Sequence, residues 1–245
     1  MRVAYVSGGG SGIGSAIARS LALDDHHVLI FGRRAGRLRD SADAIRAAGG
    51  RVDPVVVDLV DPVAVRGAVD QAREIAGDGV DVIVNAAGGT SPLPASSLVE
   101  VAAEWQDEWQ LNVLTAVLLT TAALPQLRRP DGRVINLSSI AALRGGGSYG
   151  AAKAALHAWT HSLAGQLGPG GTANVVAPGY IEDTEFFRGG MTDSRREMLI
   201  GQTLNGRAGT PDDIAATVHW LAAPAAGHIT GQVIQVNGGA LLGRG

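Results

Sequence analysis

Short runs of β-branched residues alternate along this chain with longer stretches rich in Ala and Leu, and this alternation limits the possible folds more than any other feature. Seven strands are expected, at Arg2–Val6, His27–Phe31, Val52–Val57, Asp81–Asn85, Arg133–Leu137, Thr172–Val176 and Val233–Val236. They read as continuous apolar runs, as strands covered on both faces do. Helices are expected between them, near 13–24, 35–48, 62–77, 99–126, 148–168, 194–204 and 211–223. Asp61-Pro62 and Thr210-Pro211 supply an N-cap followed by Pro at the first helical position. Gly49-Gly50 and Gly168 suit left-handed helix ends. The pattern predicts one α/β domain over residues 1–245, with a seven-stranded parallel sheet flanked by helices. The irregular stretch from Tyr180, with Phe186 and Phe187 set beside glycines, is expected to form a flap near 180–205.

Composition removes several function classes. Hydrophobic residues make up 46% and charged residues 18% of the 245, enough apolar surface to offset the entropy of ordering. The net charge of −3 leaves no footprint for nucleic acid, and no basic run addresses a membrane surface. There is no cysteine, so disulfides and thiolate chemistry are excluded. The longest apolar stretch, Val113–Leu124, would reach only ~18 Å as a helix against a bilayer core of ~30 Å. Met1–Val6 is too short an apolar run to act as a signal peptide, so a cytoplasmic location is expected. Of the 20 basic residues 19 are Arg, which makes Lys153 the only Lys. An ammonium can lose or relay a proton where a guanidinium cannot, and this marks Lys153 as a candidate for chemistry.

The first strand runs into Ser7-Gly8-Gly9-Gly10-Ser11-Gly12-Ile13-Gly14, and a helix follows. Glycines permit a tight turn and close backbone approach to a pyrophosphate, and the helix start presents free N–H groups. The spacing is neither G-x-G-x-x-G nor a Walker A loop, but its place after the first strand of a βαβ series points to a nucleotide. The second strand ends in Gly32 where a site for NAD usually carries an acid for the ribose hydroxyls. Arg33 and Arg34 follow and could clamp a 2′-phosphate. NADP(H) is therefore expected over NAD(H).

Further along stand Asn85-Ala86-Ala87-Gly88, Asn112, Ser138-Ser139, Tyr149-x-x-x-Lys153, Pro178-Gly179 and Ile229-Thr230-Gly231. In that order, and with the glycine turn, they resemble the short-chain dehydrogenase/reductase family over essentially the whole chain, nearest to 3-oxoacyl-thioester reductases. The resemblance implies a Rossmann fold and hydride transfer between a nicotinamide and a ketone or secondary alcohol. By that resemblance Tyr149 passes a proton to the carbonyl oxygen, Ser139 polarises it, Lys153 holds the nicotinamide ribose, and Asn112 anchors a water leading to Lys153. The cofactor would lie along Gly8, Ser11, Gly12, Ile13 and Gly14, with Asn85, Ala86 and Gly88 on the adenosine side. Asp58 and Leu59 would meet adenine, and Pro178, Gly179, Ile181 and Thr184 the carboxamide. The resemblance also implies a homotetramer assembled through the helices at 99–126 and 148–168.

Tyr149 and Lys153, four apart, share one helix face. A phenol's ordinary pKa of about 10 is too high for work near neutrality, and a neighbouring ammonium is expected to pull it down. The chain departs from the family at Ser7 in place of Thr, at Ala86 in place of a second Asn and at Asn237 in place of Asp. Ser139 and Tyr149 are only ten residues apart, a shorter span than usual, and Gly145-Gly146-Gly147 could let a tight loop bring them together.

Other readings compete. Gly146-Gly147-Ser148-Tyr149-Gly150 satisfies the G-x-S-x-G of serine hydrolases, with Asp212 or Asp213 and then His228 in the right order, but Ser148 is far from any strand end. A non-catalytic dinucleotide-binding protein on this fold is a second alternative, and an NAD-dependent alcohol dehydrogenase a third. His157 and His161 lack a third metal ligand, so no metal is expected. His26-His27 read as a solvated turn, and the four tryptophans, Trp105, Trp109, Trp159 and Trp220, as packing residues. The substrate, free or carried on an acidic carrier protein met by Arg128 and Arg129, would lie between Ser139, Tyr149, the Gly89–Ser97 loop and the flap.

Overall fold

The computed structural model describes residues 1–90, 96–128, 130–187 and 191–243. Seven strands form one sheet: β1 (Arg2–Ser7), β2 (His26–Gly32), β3 (Arg51–Val56), β4 (Val82–Asn85), β5 (Arg133–Leu137), β6 (Thr172–Pro178) and β7 (Val233–Val236). All are parallel, in the order β3-β2-β1-β4-β5-β6-β7. Every residue of β4, β5 and β6 is buried. Such strands need a helical cover on each face, and the chain provides it through helices that connect the parallel strands.

One face packs α1 (Gly12–Ala22), α2 (Ala35–Ala47) and α9 (Pro211–Ala222) on the sheet through Ile17, Leu21, Leu38, Ile45, Ile214 and Leu221. The other takes α3 (Pro62–Ala76), α5 (Thr115–Ala123) and α7 (Gly147–Leu167) through Val65, Val69, Leu119, Leu163 and Leu167. Each such side chain contributes about 1.5–3 kcal/mol on full burial. Asp61 caps α3 by accepting from the amides of Val63 and Ala64 at 2.8 and 3.1 Å. Thr210 and Asp213 form a reciprocal capping box on α9. Gly49 and Gly168 are left-handed at helix ends, as expected.

The segment expected as one helix over 99–126 is broken. It holds α4 (Leu98–Trp109), one wide π-helical turn (Gln110–Leu114), α5 and a final tight turn at Leu124–Gln126 that contains Pro125. The π turn carries Asn112, whose carboxamide reaches back to the Glu108 carbonyl at 3.0 Å. Such turns commonly mark functional positions. Among the described residues three short elements have no counterpart in the sequence reading: α6 (Ala141–Arg144) and the tight turns at Glu185–Phe187 and Pro224–Ala226; α8 (Asp193–Gly201) follows the first of these turns.

Two expectations are corrected. His26 and His27 are not a solvated turn: they open β2 and are 5% and 1% exposed. His27 pairs with Asp53 at 2.7 Å, so the ring is satisfied inside the strand. Burial pushes the pKa of His26 down. The tryptophans are not all packing residues either. Trp159 packs on the core, but Trp105 and Trp109 on the outward face of α4 and Trp220 on α9 are about half exposed.

The strand order reverses between β1 and β4, and this is where open α/β sheets form a crevice. Ser7, buried at the end of β1, holds the two loops of that crevice in register. Its hydroxyl accepts from the amides of Ala86 and Ala87, both at 3.0 Å, so the shorter side chain does the clamping on its own. Ser7→Ala leaves two N–H groups without this acceptor and should lower unfolding free energy by about 1–3 kcal/mol. A urea titration with an unchanged slope and a lower midpoint would verify this, whereas an unchanged midpoint would refute the clamp.

Candidate active site

The glycine turn after β1 is shaped by what its glycines exclude. A Cβ on Gly14 would lie 2.3 Å from the Gly8 carbonyl oxygen, and one on Gly8 would lie 2.9 Å from the backbone of Ala86. The start of α1 is thereby pressed against β1, and its first N–H groups open toward the crevice. Gly12 is left-handed, with the Thr184 methyl 3.6 Å from where its Cβ would stand. Ile13 and Ala86 pack against the core beneath the turn. Such a cradle fits a pyrophosphate, since its glycines leave backbone N–H groups open at the start of α1.

The acid position at the end of β2 is Gly32, as read. Arg33 and Arg34 are exposed, and Arg34 donates to the Ser11 hydroxyl at 3.1 Å, so its guanidinium stands beside the glycine turn. Arg37 joins it, which the sequence reading missed. Arg34 and Arg37 grip opposite oxygens of the Glu185 carboxylate at 2.8 and 2.7 Å. Two guanidiniums converging on one anion match the demand of a phosphate. Asp58 is exposed beyond β3 and Leu59 is buried beside it.

Asn85 lies under the crevice floor. Its amide nitrogen donates to Thr120 and Asn136 at 2.8 and 2.7 Å, and Asn136 passes the chain on to Thr160 at 2.8 Å. This buried network joins β4, β5, α5 and α7. Pro178 closes β6, and Gly179 is fixed by a bond from its amide to the Val236 carbonyl at 2.9 Å. Ile181 is buried and Thr184 bonds back to its carbonyl at 3.3 Å, which brings this stretch against Gly12. Asn237 makes three bonds, to Gln235, Leu241 and the Gly239 amide, so an amide serves where the family often has a carboxylate.

Ser139, Tyr149 and Lys153 come together at the carboxyl end of β5. Ser139 lies close enough to Tyr149, despite their short separation in sequence, for its hydroxyl to act on the phenol and lower its pKa. Gly145 and Gly147 make this possible. Both are left-handed, at φ 91° and 60°, and turn the chain from α6 straight into α7. The Lys153 ammonium is buried, donates to the Leu137 carbonyl at 3.0 Å and lies 6.0 Å from the centre of the Tyr149 ring. Phe186 covers that ring from the flap side, with centroids 5.3 Å apart.

The electrostatics differ from expectation. Burial pushes the Tyr149 phenol up to about 12, against the hydrogen bond with Ser139, which lowers it. Burial pulls Lys153 down to about 8. At Tyr149 desolvation dominates, and the buried Glu108 carboxylate adds to the rise. At neutral pH the pair is thus a protonated phenol beside an ammonium, an arrangement able to give up a proton to an incoming oxygen.

Asn112, from the π turn, is held on two sides. Its carboxamide exchanges bonds with the Gly89 backbone, at 2.9 and 3.2 Å, and donates to the Glu108 carboxylate at 2.7 Å. A Cβ on Gly88 would fall 2.7 Å from Asn112 Oδ1 and 2.9 Å from Lys153 Nζ, so the missing side chain lets these two atoms approach one point. Glu108 escaped the sequence reading; its one signal was a carboxylate four residues before Asn112, on the same helix face. His157 also belongs here: its Nε2 lies 2.7 Å from the Ser138 hydroxyl, next to Ser139.

The competing sites do not assemble. Ser148 is the second residue of α7, not a strand-to-helix turn, and its hydroxyl donates to Glu104. Asp213 is taken by Arg207 and by the cap of α9, and Asp212 by Arg19. Among the described residues no group of three or more His, Cys, Asp or Glu could hold a metal ion, and no helix is long and apolar enough to cross a membrane. Arg128 is committed to Asp81 at 2.7 Å, and Arg129, like residues 91–95 of the loop, lies outside the described residues.

Comparison with known proteins agrees with this geometry. Residues 8–240 match the family described as enoyl-(acyl carrier protein) reductase. The short-chain reductase protein NovJ of Streptomyces niveus is 36% identical, with 97% of this chain and 93% of that protein covered. The 3-oxoacyl-[acyl-carrier-protein] reductase FabG of Escherichia coli strain K12 is 32% identical over 97% of this chain and 96% of its own. A 7α-hydroxysteroid dehydrogenase solved with NADH and 7-oxo glycochenodeoxycholic acid superposes with a TM-score of 0.89 at 28% identity, covering 97% and 93% of the two chains. An unbroken parallel sheet, a backbone cradle at its switch point and a full-length match together mean that the chain belongs to the short-chain dehydrogenase/reductase family, whose members are oxidoreductases acting on carbonyls and alcohols.

Proposed function

We propose that the chain is an NADP(H)-dependent ketoreductase of a 3-oxoacyl thioester or related ketone, with Tyr149 as proton donor. The observation that carries this reading is the proton-loaded Tyr149 phenol, packed under Phe186, close to Ser139 and one helical turn from the buried Lys153 ammonium, at the sheet edge beside the glycine cradle. Gly8, Ser11, Gly12, Ile13 and Gly14 would hold the pyrophosphate. Asn85, Ala86, Gly88, Asp58 and Leu59 would bound the adenosine side, and Pro178, Gly179, Ile181 and Thr184 the carboxamide. Once bound there, the dinucleotide supplies or accepts the hydride.

The chain's own residues do the rest. Ser139 orients the carbonyl oxygen and Tyr149 donates its proton to that oxygen as negative charge develops on it. Lys153 and the Ser139 hydroxyl then steady the phenolate left behind. Phe186 keeps water from the phenol side and gives the pocket an apolar wall. The flap near 180–205 would close over the substrate.

Three finer points follow the same reading. Arg34 and Arg37, converging on an anion, favour the 2′-phosphate of NADP(H), and Gly32 offers no acid for NAD(H). The reductases among the relatives favour a thioester ketone, free or carrier-borne; with Arg128 spent on Asp81, a carrier would have to be met by other cations. The exposed Leu98, Val99, Trp105 and Trp109 on α4 form an apolar face that supports assembly of identical chains, a homotetramer by family resemblance.

NADPH oxidation should be followed across β-keto thioesters, cyclic ketones, quinones and sugars. Tyr149→Phe is expected to cut turnover of the best ketone by about 10²–10⁴-fold. Near-normal turnover in that variant would overturn the mechanism. Arg34→Ala should raise the KM for NADPH relative to NADH by about tenfold or more, the loss expected of one charge-assisted bond. An unchanged ratio would favour the NAD-dependent alcohol dehydrogenase instead.

A further inference from the structure

Helix α4 turns two of its carboxylates, Glu104 and Glu108, inward and its indoles outward. Glu108 is 1% exposed, and a buried carboxylate is costly unless it is hydrogen-bonded or faces an opposite charge. Its oxygens accept from the Thr90 hydroxyl at 2.9 Å and from the Asn112 amide at 2.7 Å. The other end of that same carboxamide, Asn112 Oδ1, converges with Lys153 Nζ beside Gly88. The carboxylate holds the carboxamide by a hydrogen bond, and the carboxamide oxygen and the ammonium converge beside Gly88, so polar groups line up from α4 through the π turn to α7.

We propose that Glu108 is a positioning residue of the acid–base apparatus: it locks the Asn112 carboxamide with its oxygen toward Lys153 and supplies the buried counter-charge to that ammonium. The proposal rests on the reading of Tyr149 and Lys153 given above. The field of Glu108 raises the pKa of both groups, and for Lys153 it opposes the burial that pulls the ammonium down to about 8. Other charges near α7 are otherwise engaged. Glu104 takes the Ser148 hydroxyl, Arg144 of α6 donates to Gln202, His157 is bonded to Ser138, and Glu185 of the flap is held by Arg34 and Arg37. β6 and the π turn bring no titratable side chain.

Glu108→Gln removes the charge and can keep both bonds, because its carbonyl accepts from Asn112 while its amide donates to the Thr90 oxygen. With the charge gone, Lys153 discharges at lower pH and Tyr149 ionises at lower pH. The alkaline limb of the reduction rate must then move down in pH. Lys153 is the only lysine, so protein labelled with 13Cε-lysine gives one signal whose pH titration reads this ammonium directly, without substrate or turnover. The midpoint is expected to fall by about one pH unit in Glu108→Gln. In Glu108→Asp, which keeps the charge, it should stay near its original value. An unmoved midpoint in the Gln variant, or an equal fall in both variants, would overturn the counter-charge role. If the unaltered protein reduces no ketone, the catalytic reading fails while the lysine signal still decides the role of Glu108.

Discussion

The arrangement of this protein's candidate site depends on burying one ammonium. Lys153 is only 5% exposed, and the carbonyl of Leu137 at the end of β5 takes over part of the solvation that burial removes. A free carbonyl is available there because strand pairing stops at the sheet's edge. The position of Lys153 is thus fixed by where β5 ends, and the position of Tyr149 by one turn of α7. Gly88 completes the fit, since any side chain would strike both Lys153 and Asn112. The sheet's edge, a helix and a missing side chain together determine where the phenolic proton stands.

The same polarity problem explains α4 and the turn after it. A helix on a protein surface ordinarily buries its apolar stripe and exposes its charges. Here Glu104 and Glu108 face α7 while Trp105 and Trp109 face outward. The inward carboxylates are satisfied by Ser148, Thr90 and Asn112, and the last of these lies in the π turn that breaks the helix register. The wide turn and the buried acid thus belong together, since the turn presents the carboxamide that the acid holds.

Much of this was legible in the residues. Strand placement followed from continuous apolar runs, and the order of short motifs located Ser139, Tyr149 and Lys153. Three kinds of information were not. The break at Gln110–Leu114 has no local signature, because Leu, Val and Thr continue the helical pattern through it. His26 and His27 looked like a polar turn, yet pairing with Asp53 across the sheet makes one of them a core residue, and only tertiary contacts can reveal that. The sign of the Tyr149 shift also escaped, since spacing records a charge nearby but not how completely water is removed. Arg37 and Glu185 meet only because the chain folds residues far apart onto each other.

Glu185 stands where Arg34 and Arg37 cross, on the stretch that also bears Phe186 over the phenol ring. Any anion that settles between those guanidiniums must first dislodge this carboxylate. Glu185 and Phe186 are consecutive, so a carboxylate displaced from the two guanidiniums would pull through one peptide bond on the ring that covers Tyr149.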